Sequence, residues 1–339
     1  MGNGPLTEAI QRTKKLEWED VIHTPTAHET PFLALLPQAK KQVQVEVNWP
    51  VGDVEDTGYG GRMDGKDVDE FSHQNRDYLR TVTQWFLESW MVSHFADLTE
   101  SWGVKDEAKH QAGIALTKLR LKIERALLST MDCAREGGVN QPNELRGVFR
   151  WLENDAAELN AQYPIPENYR VSAAAEYDGA VGSFLDTHLE AMLIEASTKA
   201  KRSITWDAQV GLLLRAQMDG FTQRDPSATA TNVALRQFVA NANDKAYLKK
   251  VDFFEFSAGT VRSHINHNLA CDKATGAPTA FTPRSGLFLD MKQWRVAFMK
   301  KIASHRLENQ GGGPRGYHDV TLTLKCGMPV GQARVLSNT

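Results

Sequence analysis

The sequence predicts an α+β fold with parts that project from it, on three observations. An alternating run, VQVEVNW, and a second β-rich run, YLRTVTQWFLESWMV, flank a long polar stretch full of glycine and acids. A proline-free segment from Gly103 to Arg135 carries a helical stripe of small and apolar residues. The later half alternates segments of helical and strand period instead of keeping to one.

Composition bounds the function. At 339 residues the chain is long enough for more than one core-bearing unit. Its 41% hydrophobic and 24% charged residues are ordinary for a soluble globular protein. A net charge of -3 argues against a dedicated nucleic-acid binder, which would be clearly basic. No apolar run approaches bilayer length, so no membrane contact is expected. The N-terminus has no hydrophobic signal region and no myristoylation pattern, which predicts a cytoplasmic protein. Cys133, Cys271 and Cys326 lie far apart and predict reduced thiols without a disulfide framework or a CxxC motif.

The elements follow in order. TEAIQRTKKLEWEDVI reads as a short amphipathic helix with Thr7 as N-cap. The next stretch has three prolines in thirteen residues, which forbids a continuous helix and predicts an arm. The apolar side chains of that arm, Phe32, Leu33, Leu35 and Leu36, need a surface to lie against. In VQVEVNW, Val43, Val45, Val47 and Trp49 share one face. With YLRTVTQWFLESWMV as the partner strand, this is an elongated hairpin whose long tip is of the kind that is usually functional.

The stripe Ala108, Ala112, Ala115, Leu119, Ile123 and Ala126 predicts a helix of about thirty residues, roughly 45 Å long. EGGVNQPN is its expected stop. Further on, GSFLDTHLEAMLIEASTKA is a helix with Phe184, Leu185, Leu189, Met192 and Leu193 inward, and WDAQVGLLLRAQMDGF is a second. KKVDFFEFSAGTVRSHINHN reads as strand, turn at Gly259, strand. SGLFLDMKQWRVAFMKK reads as strand, a helical turn around Lys292 to Trp294, and strand. HDVTLTLKCGMPVGQARVL closes the chain as a strand pair bent at Gly327 and Pro329.

The hairpin tip holds the one motif that suggests a ligand. Gly60 to Asp67, GGRMDGKD, matches a phosphate loop up to its last position, where Asp67 replaces the Ser or Thr that holds magnesium. From Gly52 to Glu70 seven acids face only Arg62 and Lys66, a charge balance that repels polyphosphate. The acids do not follow the alternation of a calcium loop either. The plain reading is an exposed acidic loop. His264 and His267 fall on opposite sides of a strand, no GxSxG elbow is present, and the basic pairs are scattered. Catalytic, cofactor and metal residues are therefore all expected to be absent, and the projecting parts point to self-assembly.

Several strings, in this order, resemble the major capsid (major head) proteins of tailed bacteriophages with the fold named after phage Hong Kong ninety-seven. RDYLRTVTQWFLESWMVS is similar to the strand entering that family's core, KLRLKIERALLS to its long spine helix, and RGVFRWLEND to the segment after it. VDFFEFSAGTVRSHINHN, GLFLDMKQWRVAFMKK and VTLTLKCGMPVGQARV resemble its later strands. The resemblance runs from about Thr30 onward.

It implies an N-terminal arm over 1–42, an E-loop hairpin over 43–90 and a peripheral domain over 91–153 with its spine helix at 103–135. It implies further an axial domain over 154–300 and return strands over 301–339. The implied function is a structural shell protein, not an enzyme. It would form hexamers and pentamers of an icosahedral virion head, assembled in the bacterial host cytoplasm. The implied partners are its own copies, a scaffold, a portal and packaged double-stranded DNA held without sequence specificity. Asp53, Glu55, Asp56, Tyr59, Arg62, Lys66 and Asp69 on the loop, with Phe32 and Leu35 on the arm, are the expected contacts with a neighbouring subunit. Some members crosslink a loop lysine to a neighbour's asparagine, for which Lys66 is the one loop candidate. Two other readings stay open at this point: an encapsulin-like compartment of the same fold, and a nucleotide-dependent enzyme built on Gly60 to Asp67.

Overall fold

The computed structural model describes residues 29–52, 58–61, 63–65, 67, 71, 73, 76–99, 106–138, 141–221 and 251–339. The first elements are helix α1 (Pro31–Leu35), strands β1 (Glu46–Val51), β2 (Asp77–Val82) and β3 (Gln84–Met91), and helices α2 (His94–Leu98), α3 (Glu107–Leu127) and α4 (Val148–Trp151). Strand β4 (Glu176–Tyr177), helix α5 (Asp186–Ala200), strand β5 (Ile204–Val210) and helix α6 (Leu212–Met218) follow. The chain then runs through β6 (Phe253–Phe256), β7 (Gly259–Ile265), β8 (Gly286–Leu289), β9 (Trp294–Leu307), β10 (Arg315–Cys326) and β11 (Ala333–Val335). Among the described residues three sheets result: β1-β2, β3-β10-β9, and β4-β11-β8-β5-β7-β6.

The chain divides into two units. Among the described residues the smaller comprises Glu88–Lys118 and Ser304–His318, and the larger Glu29–Leu87, Leu119–Ala303 and Asp319–Thr339. In the smaller unit Val92 N donates to Pro314 O, and the Ser93 hydroxyl caps α2 by accepting from Ala96 N. Its buried His318 sits between Ser304 Oγ at 2.7 Å and Ala112 O at 2.9 Å. The larger unit holds the main core, built around Trp151, Trp206, Trp294, Phe149 and Phe288.

The hairpin forms as expected. β1 and β2 pair antiparallel from Glu46↔Val82 to Val51↔Asp77. Val47 and Val51 on one strand and Leu79 and Thr81 on the other are buried. This face lies on the end of β10: Trp49 Nε1 donates to Cys326 O at 3.1 Å, and Thr81 Oγ1 meets Thr323 Oγ1 at 3.2 Å. Pro50 is tolerated because β1 has a free edge.

Five expectations need correction. The run after the loop is two strands, not one: Thr83 turns back to Val45 O through both its N and Oγ1, so β2 stays in the hairpin and β3 enters the second sheet. The long helix spans 21 residues, Glu107–Leu127, not 103–135. It ends because the Ser129 hydroxyl takes Ala126 O at 2.8 Å, a side chain competing for the helical acceptor. The chain beyond is extended, with a bridge between Ala134 and Glu144. The stripe itself is real, with Ala108, Ala115, Leu119 and Ile123 buried.

The helix expected over WDAQVGLLLRAQMDGF begins only at Leu212. Its first half is β5, an inner strand parallel to β7 and antiparallel to β8. Gly211 separates the two, and only glycine fits there, since an added Cβ would lie 2.3 Å from Thr282 O. Finally, the closing strands do not pair with each other. β10 lies in the second sheet, whereas β11 runs parallel to β4 and antiparallel to β8 in the third. The predicted helical turn before β9 is a plain turn, with Gln293 N donating to Asp290 O.

Candidate assembly surface

The hairpin tip presents side chains that its own chain leaves uncovered. Tyr59, Met63 and Phe71 are 83–104% exposed. A Cβ added at Gly58, Gly60, Gly61 or Gly65 would meet no atom within 4 Å, so these glycines stand clear of the rest of the molecule. Gly65 has φ +81°, a left-handed turn that suits glycine. β1 ends at Val51 and the next described element is β2, so among the described residues no helix follows the Gly60 motif. A phosphate loop needs such a helix N-terminus after it. Of the expected contact residues, Asp53, Glu55, Asp56, Arg62, Lys66 and Asp69 lie outside the described residues. Tyr59 is in the open.

The arm shows a division of labour that the sequence did not reveal. Phe32 is fully buried in the chain's own core, whereas Leu35 is 39% exposed. The helical turn α1 is held by a carboxylate from α3. Glu124 accepts from Phe32 N at 2.9 Å, Leu33 N at 2.7 Å and Asn266 Nδ2 at 2.9 Å. Asn266 also donates to Gln209 Oε1 at 3.1 Å, and Asn268 Nδ2 to Glu29 O at 3.0 Å. Burial pushes the Glu124 carboxyl above its ordinary range, against the opposing pull of these donors. Beyond α1, Ala39 N donates to Val296 O and Gln42 N to Phe298 O, so segment 37–42 lies along β9.

Other buried charges tie the core together. Arg334 donates to Phe149 O at 2.8 Å and pairs with Glu153 at 2.8 Å and with Glu176. Arg146 pairs with Asp132 at 2.5 Å and donates to Tyr163 O at 2.6 Å. No segment-level periodicity announces these arginines. Glu124 did leave a trace: it falls at the helical spacing of the buried Leu121 and Leu128, a lone acid in an apolar stripe.

The cysteines are sheltered. Burial pushes the Cys133 thiol up to about 12 and raises Cys326 as well. Among the described residues no group of three His, Cys, Asp or Glu could hold a metal ion, and no helix is long and apolar enough to cross a membrane. His264 stands 3.9 Å from Asp207, and His267 is exposed.

A pinned arm, an uncovered hairpin tip and buried polar groups devoted to cohesion define a subunit built to meet its own kind, and solved structures share this architecture. The protein matches a chain from Mycobacterium phage Bobi with a TM-score of 0.60 at 10% identity, over 99% of this chain and 100% of that one. It matches a capsid chain of a native GTA particle with a TM-score of 0.61 at 10% identity, over 100% of both chains. The capsid structure of the cyanophage P-SCSP1u gives 0.58 at 8% identity, over 97% and 94%. The fold is that of phage capsid proteins. The chain belongs to the SU10 major capsid protein family, whose model matches residues 6–337. It is a structural component of the virion shell that associates with its own copies. No curated protein sequence matches it.

Proposed function

We propose that this major capsid protein forms hexamers and pentamers that close into an icosahedral head around double-stranded DNA. Assembly takes place in the bacterial host cytoplasm with a scaffold and a portal, and the DNA is held without base-specific contacts. In this reading residues 1–42 are the arm, 43–90 the E-loop hairpin, 91–153 the peripheral domain with the spine helix, 154–300 the axial domain and 301–339 the return strands. The hairpin loop, with Tyr59 and its acids, and Leu35 on the arm contact the adjacent subunit. Phe32 serves the arm from within.

The observation that carries this is the uncovered tip. Tyr59, Met63 and Phe71 are exposed, and the described loop glycines have open space where a Cβ would stand. Large apolar side chains gain roughly 1.5–3 kcal/mol each on full burial, and a neighbouring subunit is the surface that supplies it. The experiment is size exclusion with light scattering and negative-stain microscopy, with and without a co-expressed scaffold. Uniform hollow particles of megadalton mass are expected. A species that stays at 37.8 kDa under both conditions overturns the reading.

A further inference from the structure

Strand β9 and the extended segment beside it in the larger unit carry charge of a single sign. Segment 37–42 runs parallel to β9, bridged at Gln38↔Val296 and bonded again at Gln42 N to Phe298 O. Residues 36–45 and 294–303 together hold Lys40, Lys41, Arg295, Lys300 and Lys301 and no acid. All five are exposed. Lys300 pairs with Asp319 of β10 at 2.5 Å. Among the described residues Lys40, Lys41, Arg295 and Lys301 have no ion-pair partner. From Arg295 to Lys301 the strip extends about 20 Å along the strand.

The chain carries the opposite charge elsewhere. Between Gly52 and Glu70 the hairpin loop has seven acids against Arg62 and Lys66. It leaves the hairpin at Val51 and Asp77, whereas the strip precedes Glu46 at the other end of the ladder, some 17 Å away. A Cβ added at the described loop glycines would meet no atom within 4 Å.

We propose that the strip of Lys40, Lys41, Arg295 and Lys301 is the docking site for the acidic hairpin loop of a second copy. This rests on the reading above that the loop contacts a neighbour, and it assigns the surface that receives it. Charge complementarity of this kind selects partner and register more than it adds affinity, and the exposed aromatics of the loop supply the apolar area. A simpler account exists. β9 is the last strand of its sheet and segment 37–42 lies against it, and lysines on such a border discourage stray strand pairing. That account is indifferent to sign, because glutamates would guard the edge as well. Docking is not.

The test uses charge reversal in the full chain. One variant carries Lys40→Glu, Lys41→Glu and Lys301→Glu; the other carries Asp53→Lys, Glu55→Lys and Asp56→Lys. All six positions are on exposed segments or the loop, and circular dichroism checks that each variant folds. Each alone is expected to lose shells or capsomers by roughly tenfold or more in sedimentation at about 0.1 M salt. Co-expressing the two restores them, because each variant then finds its complement in the other chain. A strip variant that assembles like the parent overturns the inference, and so does a failure of both variants with no rescue on mixing. A loop variant that assembles normally overturns the broader reading of the loop as well, which keeps the two failures distinct.

Discussion

Glu124 is the residue through which the arm can be released without touching the arm. Replacing it with alanine removes the acceptor of Phe32 N and Leu33 N, two backbone donors at 2.9 and 2.7 Å. Asn266 keeps Gln209 at 3.1 Å, so it is only partly deprived. A buried donor left unsatisfied costs about 1–3 kcal/mol, so Glu124→Ala costs about 2–6 kcal/mol. Glu124→Gln keeps one oxygen but turns an NH₂ toward one of the donors, and costs about 1–3 kcal/mol.

Two assays separate the local from the global effect. Denaturant unfolding of the subunit reads the total. Trypsin cleavage after Lys40 and Lys41 reads detachment of segment 37–42 from β9, and a loss of even 1–2 kcal/mol raises the open population roughly 5–30-fold. The pH dependence has a definite sign. Burial raises the folded carboxyl above the ordinary value of 4.5, so the folded state holds the proton more tightly than the unfolded one. The stability tied to that proton is fully present below about 4.5 and is lost as pH rises through the folded value. The parent's advantage over Glu124→Gln should therefore shrink as pH rises from 4.5. An alanine variant within 0.5 kcal/mol of the parent, with unchanged trypsin cleavage, would refute the clasp.

Two further outcomes are expected. Arg334→Met leaves Glu153 and Glu176 without their shared guanidinium in a nearly buried site, which costs about 3–5 kcal/mol in denaturant unfolding; Arg150, at 3.2 Å from Glu153, moderates the loss. Iodoacetamide at pH 8 should label at most Cys271 in the folded subunit, since Cys133 and Cys326 are buried and their thiols raised. Mass spectrometry showing early labelling of Cys133 would contradict this packing.

What the sequence showed and what it hid have a common physical cause. The hairpin was readable because period-two alternation survives wherever one face is buried and the other wet, as with Val47 and Val51. The inner strand β5 was misread because burial on both faces erases that alternation: Ala208, Gln209 and Val210 are all buried in succession. The end of α3 was set by one hydroxyl, Ser129, and not by the glycines ten residues later. In the candidate surface, exposure of the loop followed from composition. The sequence alone could not separate Phe32 from Leu35, three residues apart and similar in hydropathy, because that choice is made by Glu124, 92 residues away from Phe32.

The placement of β11 has a consequence for timing during synthesis. It fits between β4 and β8, and Arg334 meets Glu176 across 158 residues of sequence. Two strands made earlier wait, with bare edges, for a third. At the usual pace of translation that wait lasts roughly 8–30 seconds for β4 and roughly 2–9 seconds for β8, long enough for a nascent chain to meet another. Until residue 335 has emerged the largest sheet stays unfinished and Arg334 has yet to reach its acids. A truncated product is thereby marked as defective in its own core before it can be built into a shell.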